Sequence, residues 1–476
     1  MLEEHYAIEK QVLEKIKPSR KEYELVWKIY EKIRNTLSNT LEKHGIKADI
    51  SLQGSIAKDT WLSGERDLDI FVLLPPSLSK EDIKTNILQI LIEAAKNLGK
   101  YQLRYAEHPY VRVFLNSVEA DLVPALKVND PSTAHTAVDR TPFHTKYVIE
   151  NLPEDGRDEV RLLKKFLKGI GVYGAEIKVR GFSGYLTELL IIKYRSFREL
   201  LKKASQWKPP VYINVGYSRD EFRKIINVLK RKYPDSIIYV PDPVDPFRNV
   251  AASVSMKSLA VFSIAARCYL NKPSIVFFLP REIDKRLSFE QLIKLSNLKE
   301  TCIFFLIIPI LNDLPPDTLW GELQRIADRL RKLLILYDFN VIDYSIWSDE
   351  QKIAIIGFEL GDCVLDKYKV YKGPLFYAFE RALRFIQVHY TRSIKGPWIN
   401  DDGELIAFSE RRIKSIEQII VSRVKDYMVA PDFRNVKPIV TTLNTLSLLW
   451  REYRGFRTWL SRFIAKKSPW MESCIA

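Results

Sequence analysis

LQGSIAKDTWLSGERDLDIFVLLPP, Leu52–Pro76, decides the fold. The pair Gly54-Ser55 stands a dozen residues ahead of Asp67 and Asp69, and these two open an apolar run closed by two prolines. Carboxylates are poor strand residues. Their place at the head of a strand therefore asks for a compensating partner. Residues two apart on a strand project to one face. Two carboxylates on one face repel each other unless a cation sits between them. Hard divalent cations take carboxylate oxygens, and Mg²⁺ commonly combines one or two of them with phosphate oxygens of a substrate. The strand tolerates its aspartates if they hold metal.

Upstream, Val26, Ile29, Ile33, Leu37 and Leu41 fall at helical spacing, which predicts a helix from Glu22 to His44 that stops at Gly45. ADISLQG reads as a strand. Downstream, SKED opens a helix over 79–98. VRVFLNSVEADLVPALKV then reads as two strands broken at Asn116-Ser117, the second carrying Asp121. Helix, strand, turn, strand, helix, strand, strand is the order of a small α/β domain over a mixed sheet. If the Asp121 strand lies beside that of Asp67 and Asp69, three carboxylates converge. That is the minimum set for two ions clamping the attacking and leaving oxygens of a phosphoryl or nucleotidyl transfer. Gly54-Ser55 opens a helical turn whose backbone N–H groups suit an anion, with the Ser55 hydroxyl as a further donor and Lys58 as a point charge.

Beyond Pro142 helical patterns dominate. GRDEVRLLKKFLKGIGVYG is a helix ended by glycines, and GFSGYLTELLIIKYRSFRELLKKA reads as one more, with Ser183 as its N-cap. VPDPVDPFRNVAASVS is a proline-rich crossing loop that enters a helix. From Pro273, strand-like runs (SIVFFLP, CIFFLIIPI, KIAIIGFEL) alternate with helices (DTLWGELQRIADRLRKLLILY, GPLFYAFERALRFIQVH), and beyond about Thr391 SIKGPWINDDGELIAFSERR precedes basic helical stretches. No internal repeat or low-complexity segment is visible.

Of 476 residues, 46% are hydrophobic and 28% charged, which fits a globular chain and excludes a disordered one. The net charge of +15 is spread along the chain and points to a polyanion partner, nucleic acid first, or to a lysine-rich solvated surface. Cys268, Cys302, Cys363 and Cys474 are far apart with no CxxC, so they read as reduced thiols of a cytosolic protein, signalling neither zinc nor a disulfide framework. The charged, amphipathic N-terminus is not expected to be a signal peptide. The longest apolar run, Cys302–Leu311, is too short to span a bilayer.

Alone, Gly-Ser and Asp-x-Asp are weak signals, and a charged turn before a strand would explain them. The combination G-S-x11-D-x-D, an apolar run and a lone Asp in a later apolar strand resembles the polymerase β-like nucleotidyltransferase superfamily. GSIAKDTWLSGERDLDIFVLLP, AVDRTPFHTKYV, DEVRLLKKFLKGIGVYGAEIKVRGFSGYLTELLI and PDPVDPFRNVAASVS narrow this. Together they resemble the archaeal class I CCA-adding enzymes, the tRNA nucleotidyltransferases. The likeness is strong from about residue 50 to 280 and architectural beyond, with a matching tail at AKKSPW.

The resemblance implies an α+β multidomain chain. Its parts would be a catalytic α/β head (1–145), a mostly helical neck (146–272), an α+β body (273–395) and a helical, basic, tRNA-binding tail (396–476). It implies template-independent addition of C, C and A to tRNA from CTP and ATP, with Mg²⁺, in the cytoplasm, by a homodimer without membrane attachment. Asp67, Asp69 and Asp121 match the metal-binding catalytic carboxylates, with Asp121 as a candidate acceptor of the 3′-hydroxyl proton. Ser55 matches the triphosphate-contacting serine. Lys58 falls where many members carry Arg, keeping the charge but losing the bidentate fork. His144 matches a nucleotide-contacting histidine, Lys164 and Tyr173 match phosphate-binding residues, and Arg248 matches the base-reading arginine. Each leaves an alternative open: a structural role for His144, a solvated Lys164 or a register shift to Lys165, packing for Tyr173, and pairing with Asp242 or Asp245 for Arg248. Arg451, Arg454, Arg457, Arg462, Lys466 and Lys467, with Trp459 and Trp470 interleaved, suit an RNA backbone and exposed bases, or else form a solvated basic face. A poly(A) polymerase, an oligoadenylate synthetase and a catalytically dead RNA-binding relative are the rival readings.

Overall fold

Pro18 and Ser19 separate α1 (Leu2–Ile16) from α2 (Arg20–Lys43) in the computed structural model, which describes residues 2–105, 109–131, 136–280, 287–298 and 300–475. Ser19 closes a capping box with Glu22, and the apolar stripe from Val26 to Leu41 is buried as its spacing predicts. β1 (Asp49–Gln53) leads through the single turn α3 (Gly54–Ala57) and a loop into β2 (Asp67–Leu74). α4 (Lys80–Asp82) continues through a π-helical turn, Ile83–Ile87, into α5 (Leu88–Leu98). β3 (Lys100–Tyr105), β4 (Pro109–Leu115) and β5 (Val118–Leu126) complete the head. The sheet order is β1-β2-β5-β4-β3, with β2 and β5 parallel and the other neighbours antiparallel, a mixed sheet. The sequence reading lacks β3, an edge strand whose KYQLRY carries one aliphatic residue. Asn116 and Ser117, at φ 45° and 64°, form the left-handed pair that joins β4 to β5.

Leu68, Ile70, Val72, Leu74, Ala120 and Leu122 enter one core with side chains of α2 and α5. Each large aliphatic side chain buried this way contributes about 1.5–3 kcal/mol. Alternation then assigns Asp67, Asp69 and Asp121 to the sheet face turned away from that core. A register slip of one residue would bury the carboxylates and expose the aliphatic set, so the core locks the acidic face in place.

α6 (Ala137–Asn151), α7 (Gly156–Ile170), α8 (Gly184–Tyr194), α9 (Phe197–Ala204), β6 (Val211–Tyr212), α10 (Arg219–Lys232), β7 (Ile238–Tyr239) and α11 (Met256–Asn271) follow. Their core gathers Phe166, Phe197, Phe262, Tyr269, Phe277 and Phe278. The stretch read as one helix from Ser183 is two. Ser183 does cap α8, but Arg195 is left-handed at φ 71° and Ser196 caps α9. SIVFFLP is not a strand either. Ile275–Phe277 is a 3₁₀ turn that delivers Phe277 and Phe278 to the core. A short apolar run does not by itself distinguish these outcomes.

The chain divides into two units, Met1–Arg281 with Ser468–Ala476, and Glu282–Lys467. In the second, α12 (Phe289–Leu298), β8 (Cys302–Pro309), α13 (Pro316–Leu336), β9 (Val341–Ser348) and β10 (Ile353–Leu360) come first. Next are β11 (Tyr368–Leu375), α14 (Phe379–His389), β12 (Lys395–Ile399) and β13 (Glu404–Glu410). α15 (Ile416–Ser422), α16 (Val424–Tyr427), β14 (Ile439–Thr441), α17 (Ser447–Glu452) and α18 (Arg454–Ala465) end the unit. One sheet runs β14-β8-β10-β9 and another β11-β13-β12, so strands extend past Thr391 into a region expected to be helical. Phe304, Leu306 and Ile356 pack with Leu323, Ile326 and Leu330 of α13. Phe305 and Ile355, on the alternate face, pack with Phe456, Leu460 and Phe463 of α18.

Two further expectations are corrected. Trp470 is 1% exposed within the core of the first unit, and Trp459 is half-buried, stacked on Phe463 and donating to Ser345 Oγ at 2.8 Å. Neither offers a free ring to a base. The cysteines are paired, not free: Cys268 with Cys474, and Cys302 with Cys363, at Cα separations of 5.0 and 5.2 Å. The first pair fastens α19 (Glu472–Ile475) to α11.

Candidate active site

Parallel pairing of β2 and β5 sets Asp69 opposite Asp121 and Asp67 opposite Glu119. The acidic strands expected from the sequence are therefore neighbours in register. On the other side of β5, Arg112 of β4 stands opposite Asp121. Its Nε donates to Oδ1 at 2.6 Å and its Nη2 to Oδ2 at 2.7 Å, while Nη1 reaches Glu119 Oε2 at 3.1 Å. This fork is the strong, geometrically specific kind of charge-assisted contact. Among the described residues no three carboxylate, imidazole or thiol groups close on one point. Burial, then the charge of Asp121, pushes the Asp69 carboxyl up to about 6 against the pull of Lys58. Burial and Glu119 also raise Asp67.

Gly54 explains the Gly-Ser pair. Its φ is 71°, and a Cβ there would overlap Asp69 Oδ2 and crowd the rest of that carboxylate. Only glycine both takes this conformation freely and leaves room for the aspartate. Ser55 follows at once in α3, half-buried beside the carboxylate face.

Lys58 and Lys164 meet at a residue absent from the sequence reading. Lys58 Nζ donates to Glu188 Oε2 at 2.5 Å, and Thr60 Oγ1 donates to Glu188 Oε1 at 2.6 Å. Lys164 Nζ donates to the Thr60 carbonyl at 2.9 Å and lies 3.7 Å from Glu188 Oε1. The three charged side chains are 9%, 4% and 1% exposed for Lys58, Lys164 and Glu188. Burial pushes Lys164 down to about 8, and Glu188 opposes that shift. Of the adjacent lysines, it is Lys164 that joins this network. Lys165 is half-buried and also pushed down by burial. The Tyr173 hydroxyl lies 3.0 Å from where a Gly184 Cβ would stand, so that glycine admits the ring. Burial, then Glu188 and Glu65, raises the phenol. Lys168 Nζ sits 4.9 Å from the centre of the same ring and pairs with Glu65.

His144 and Arg248 converge on a second carboxylate. His144 Nε2 and Arg248 Nη1 lie 2.9 and 2.7 Å from Asp242 Oδ2, and the Tyr185 hydroxyl donates to Oδ1 at 2.9 Å. The His144 and Tyr185 rings lie against each other with centroids 4.3 Å apart, tilted by 34°. Asp242 is fully buried, and burial works to raise it. The hydrogen bond and charge of His144, the Val244 N–H and Arg248 outweigh this and hold it at about 2. Of the two partners open to Arg248, its side chain takes Asp242. Asp245 pairs with Arg140 at 2.8 Å.

Arg112, Glu188 and Asp242 each had a faint signal. Arg112 is a lone charge in YVRVFL, Glu188 a lone carboxylate in YLTELLII, and Asp242 lies between two prolines. Charged residues are almost never fully buried unless paired, so a charge inside an apolar run predicts a partner.

Three family signatures match the chain in order. They are a nucleotidyltransferase domain over residues 31–144, the second domain of tRNA nucleotidyltransferase over 158–279, and the C-terminal domain of the CCA-adding enzyme over 301–431. A CCA-adding enzyme of Sulfurisphaera tokodaii is 40% identical over 467 residues, covering 98% of this chain and 100% of that protein. One from Saccharolobus solfataricus is 42% identical over 423 residues, covering 88% and 93%. Among solved structures, the Cid1 poly(U) polymerase bound to Mg and 3′-dATP aligns over 56% of this chain and 94% of that one, at 17% identity and a TM-score of 0.43.

Proposed function

The chain belongs to the archaeal CCA-adding enzymes, and from that premise we propose that the acidic face of β2 and β5 adds C, C and A from CTP and ATP to the 3′ end of tRNA. The reaction is nucleotidyl transfer without a nucleic-acid template: the tRNA 3′-hydroxyl oxygen bonds to the α-phosphorus, and pyrophosphate leaves. The observation that carries this reading is Asp69 in register with Asp121 above Gly54. The donor set fits a hard divalent cation. It is all carboxylate and lies on one sheet face, where burial and then Asp121 raise Asp69 against the pull of Lys58 and Arg112. Asp67, Asp69 and Asp121 are the residues to hold Mg²⁺, which when bound stabilises negative charge on the attacking and leaving oxygens.

The chain's own groups do the rest by position. Arg112 fixes the orientation of the Asp121 carboxylate, which is the candidate acceptor for the 3′-hydroxyl proton. Ser55, Lys58, Lys164 and Tyr173 are assigned to the β- and γ-phosphates. Lys58 and Lys164 are both held in place by Glu188. His144 and Arg248 are assigned to the nucleotide, oriented by Asp242. Such preorganised donors supply catalysis mainly as electrostatics and alignment. α18 buries Phe456, Leu460 and Phe463 and leaves Arg454 and Arg462 exposed, with Arg451 and Lys467 exposed on either side, which supports a tRNA-facing tail. The division at 145, 272 and 395, a homodimer and a cytoplasmic setting complete the proposal. Among the described residues no helix is long and apolar enough to cross a membrane.

The test is product identity. Incubation with tRNA lacking its 3′ end, labelled CTP and ATP, and Mg²⁺, followed by sequencing of the new terminus, should give C-C-A. A long A tract, 2′-5′ linkages or no extension would each overturn the reading in favour of one of the rivals.

A further inference from the structure

We propose that Glu188 is a positioning residue for the triphosphate, one buried carboxylate that anchors Lys58 and Lys164 from two separate parts of the chain. This rests on the reading of both lysines as phosphate ligands. Lys58 closes α3, Thr60 lies in the loop that follows, and Lys164 stands on α7. All three meet at the carboxylate of Glu188 on α8. The anchor therefore ties the turn beside Asp69 to the neighbouring helices.

A role in packing alone accounts poorly for this residue. From Leu186 to Ile192, Glu188 is the one ionisable group in a helix stretch that is otherwise apolar apart from Thr187, and every residue of that stretch is buried. Taking a carboxylate out of water costs several kcal/mol, and well-packed hydrophobic replacements of buried ion pairs are often neutral or stabilising. A buried carboxylate facing two lysines serves a site that needs both cations in fixed places. Two lysines against one carboxylate also leave one positive charge uncompensated, the sign a phosphate chain requires.

The protonation of Lys164 follows from the same geometry. Burial, Lys58 and Lys168 push its ammonium toward the neutral form, while Glu188 and Glu65 retain the proton, and the balance stands at about 8. Tyr173 is the remaining titratable group in electrostatic contact with both Glu188 and Glu65. With an amide in place of Glu188, Lys164 loses its proton at a lower pH. The alkaline limb of kcat/KM, which reports the free enzyme, then moves down.

The test uses the full chain with a tRNA acceptor, reading kcat and KM for CTP from pH 6 to 9, with tRNA affinity and Tm as controls. Glu188→Gln should raise KM for CTP about fivefold at pH 8, much less at pH 6.5, and lower the alkaline limb by about one pH unit. Glu188→Asp keeps the charge but not the reach. It should raise KM at every pH and leave the limb where it is. A folded Glu188→Gln with wild-type KM and limb overturns the proposal. If that variant does not fold, Glu188→Asp with wild-type KM overturns it. Lys164→Met separates the two levels. Raised KM in this variant beside an unaffected Glu188→Gln condemns the anchor alone, whereas unchanged KM in Lys164→Met removes the phosphate reading of Lys164 itself.

Discussion

Asp69 carries the cost of the site in its own titration. Its carboxyl sits at about 6 in the folded protein, above its ordinary 3.8, because burial and Asp121 disfavour its charge. Between those values the folded state holds a proton that the unfolded state has lost. Stability in the absence of divalent ions therefore falls as pH rises from about 4 to 6. Asp69→Asn should flatten that slope in Tm measured with a chelator, and added Mg²⁺ should restore stability near pH 7 to the wild type but not to the variant. A wild-type Tm that rises through this window would contradict the assignment. The three carboxylates could be read from the sequence because strand alternation and apolar flanks report which way a side chain points. Arg112 and Glu188 could not be read as partners. Their charges are visible in YVRVFL and YLTELLII, but what they pair with depends on strands and helices brought together by the fold.

Elements hold the second cluster as the sheet holds the first. His144 comes from α6, Tyr185 from α8, and Arg248 from the proline-rich loop before α11, and all meet at Asp242. Removing that charge leaves Arg248 facing a neutral group inside a half-buried network. Arg248 is partly exposed, so losing this charge-assisted contact costs about 1.5–3 kcal/mol. Asp242→Asn should lower Tm by several degrees and raise nucleotide KM with smaller effect on tRNA affinity, measured by calorimetry and steady-state kinetics. Unchanged KM would detach the cluster from the nucleotide. At this scale the sequence reading succeeded where periodicity was long, as in α2 and α13, and where an apolar run met a turn, as in β2 and β8. It failed where one residue decides the outcome. The left-handed Arg195 breaks α8 from α9, and Phe277 and Phe278 take a 3₁₀ turn because the aromatic core accepts them there.

Across the whole molecule, the surprise is covalent. Cys268 and Cys474 are 206 residues apart, yet they close the first unit around its last residues, and Trp470 fills the core beside them. A crosslink over so long a loop restricts the unfolded chain and contributes about 2–4 kcal/mol. Cys474→Ser should lower Tm in the oxidised protein and make it insensitive to reduction at this bond, leaving kcat near wild type. Equal Tm for the two proteins would remove the stabilising role. No local spacing could have announced these pairs, nor the burial of Trp470, since both depend on where the chain's end returns. The acidic sheet face, by contrast, is set within 70 residues of sequence and shapes the account of function.

That face is tested most directly by Asp121→Asn, chosen because Asp121 is joined to Asp69 by register alone. Single-turnover transfer of CMP to tRNA lacking its 3′ end should fall at least a thousandfold, on the order of 4 kcal/mol of transition-state stabilisation, while tRNA affinity stays within about twofold. Transfer at the wild-type rate by this variant would contradict the account.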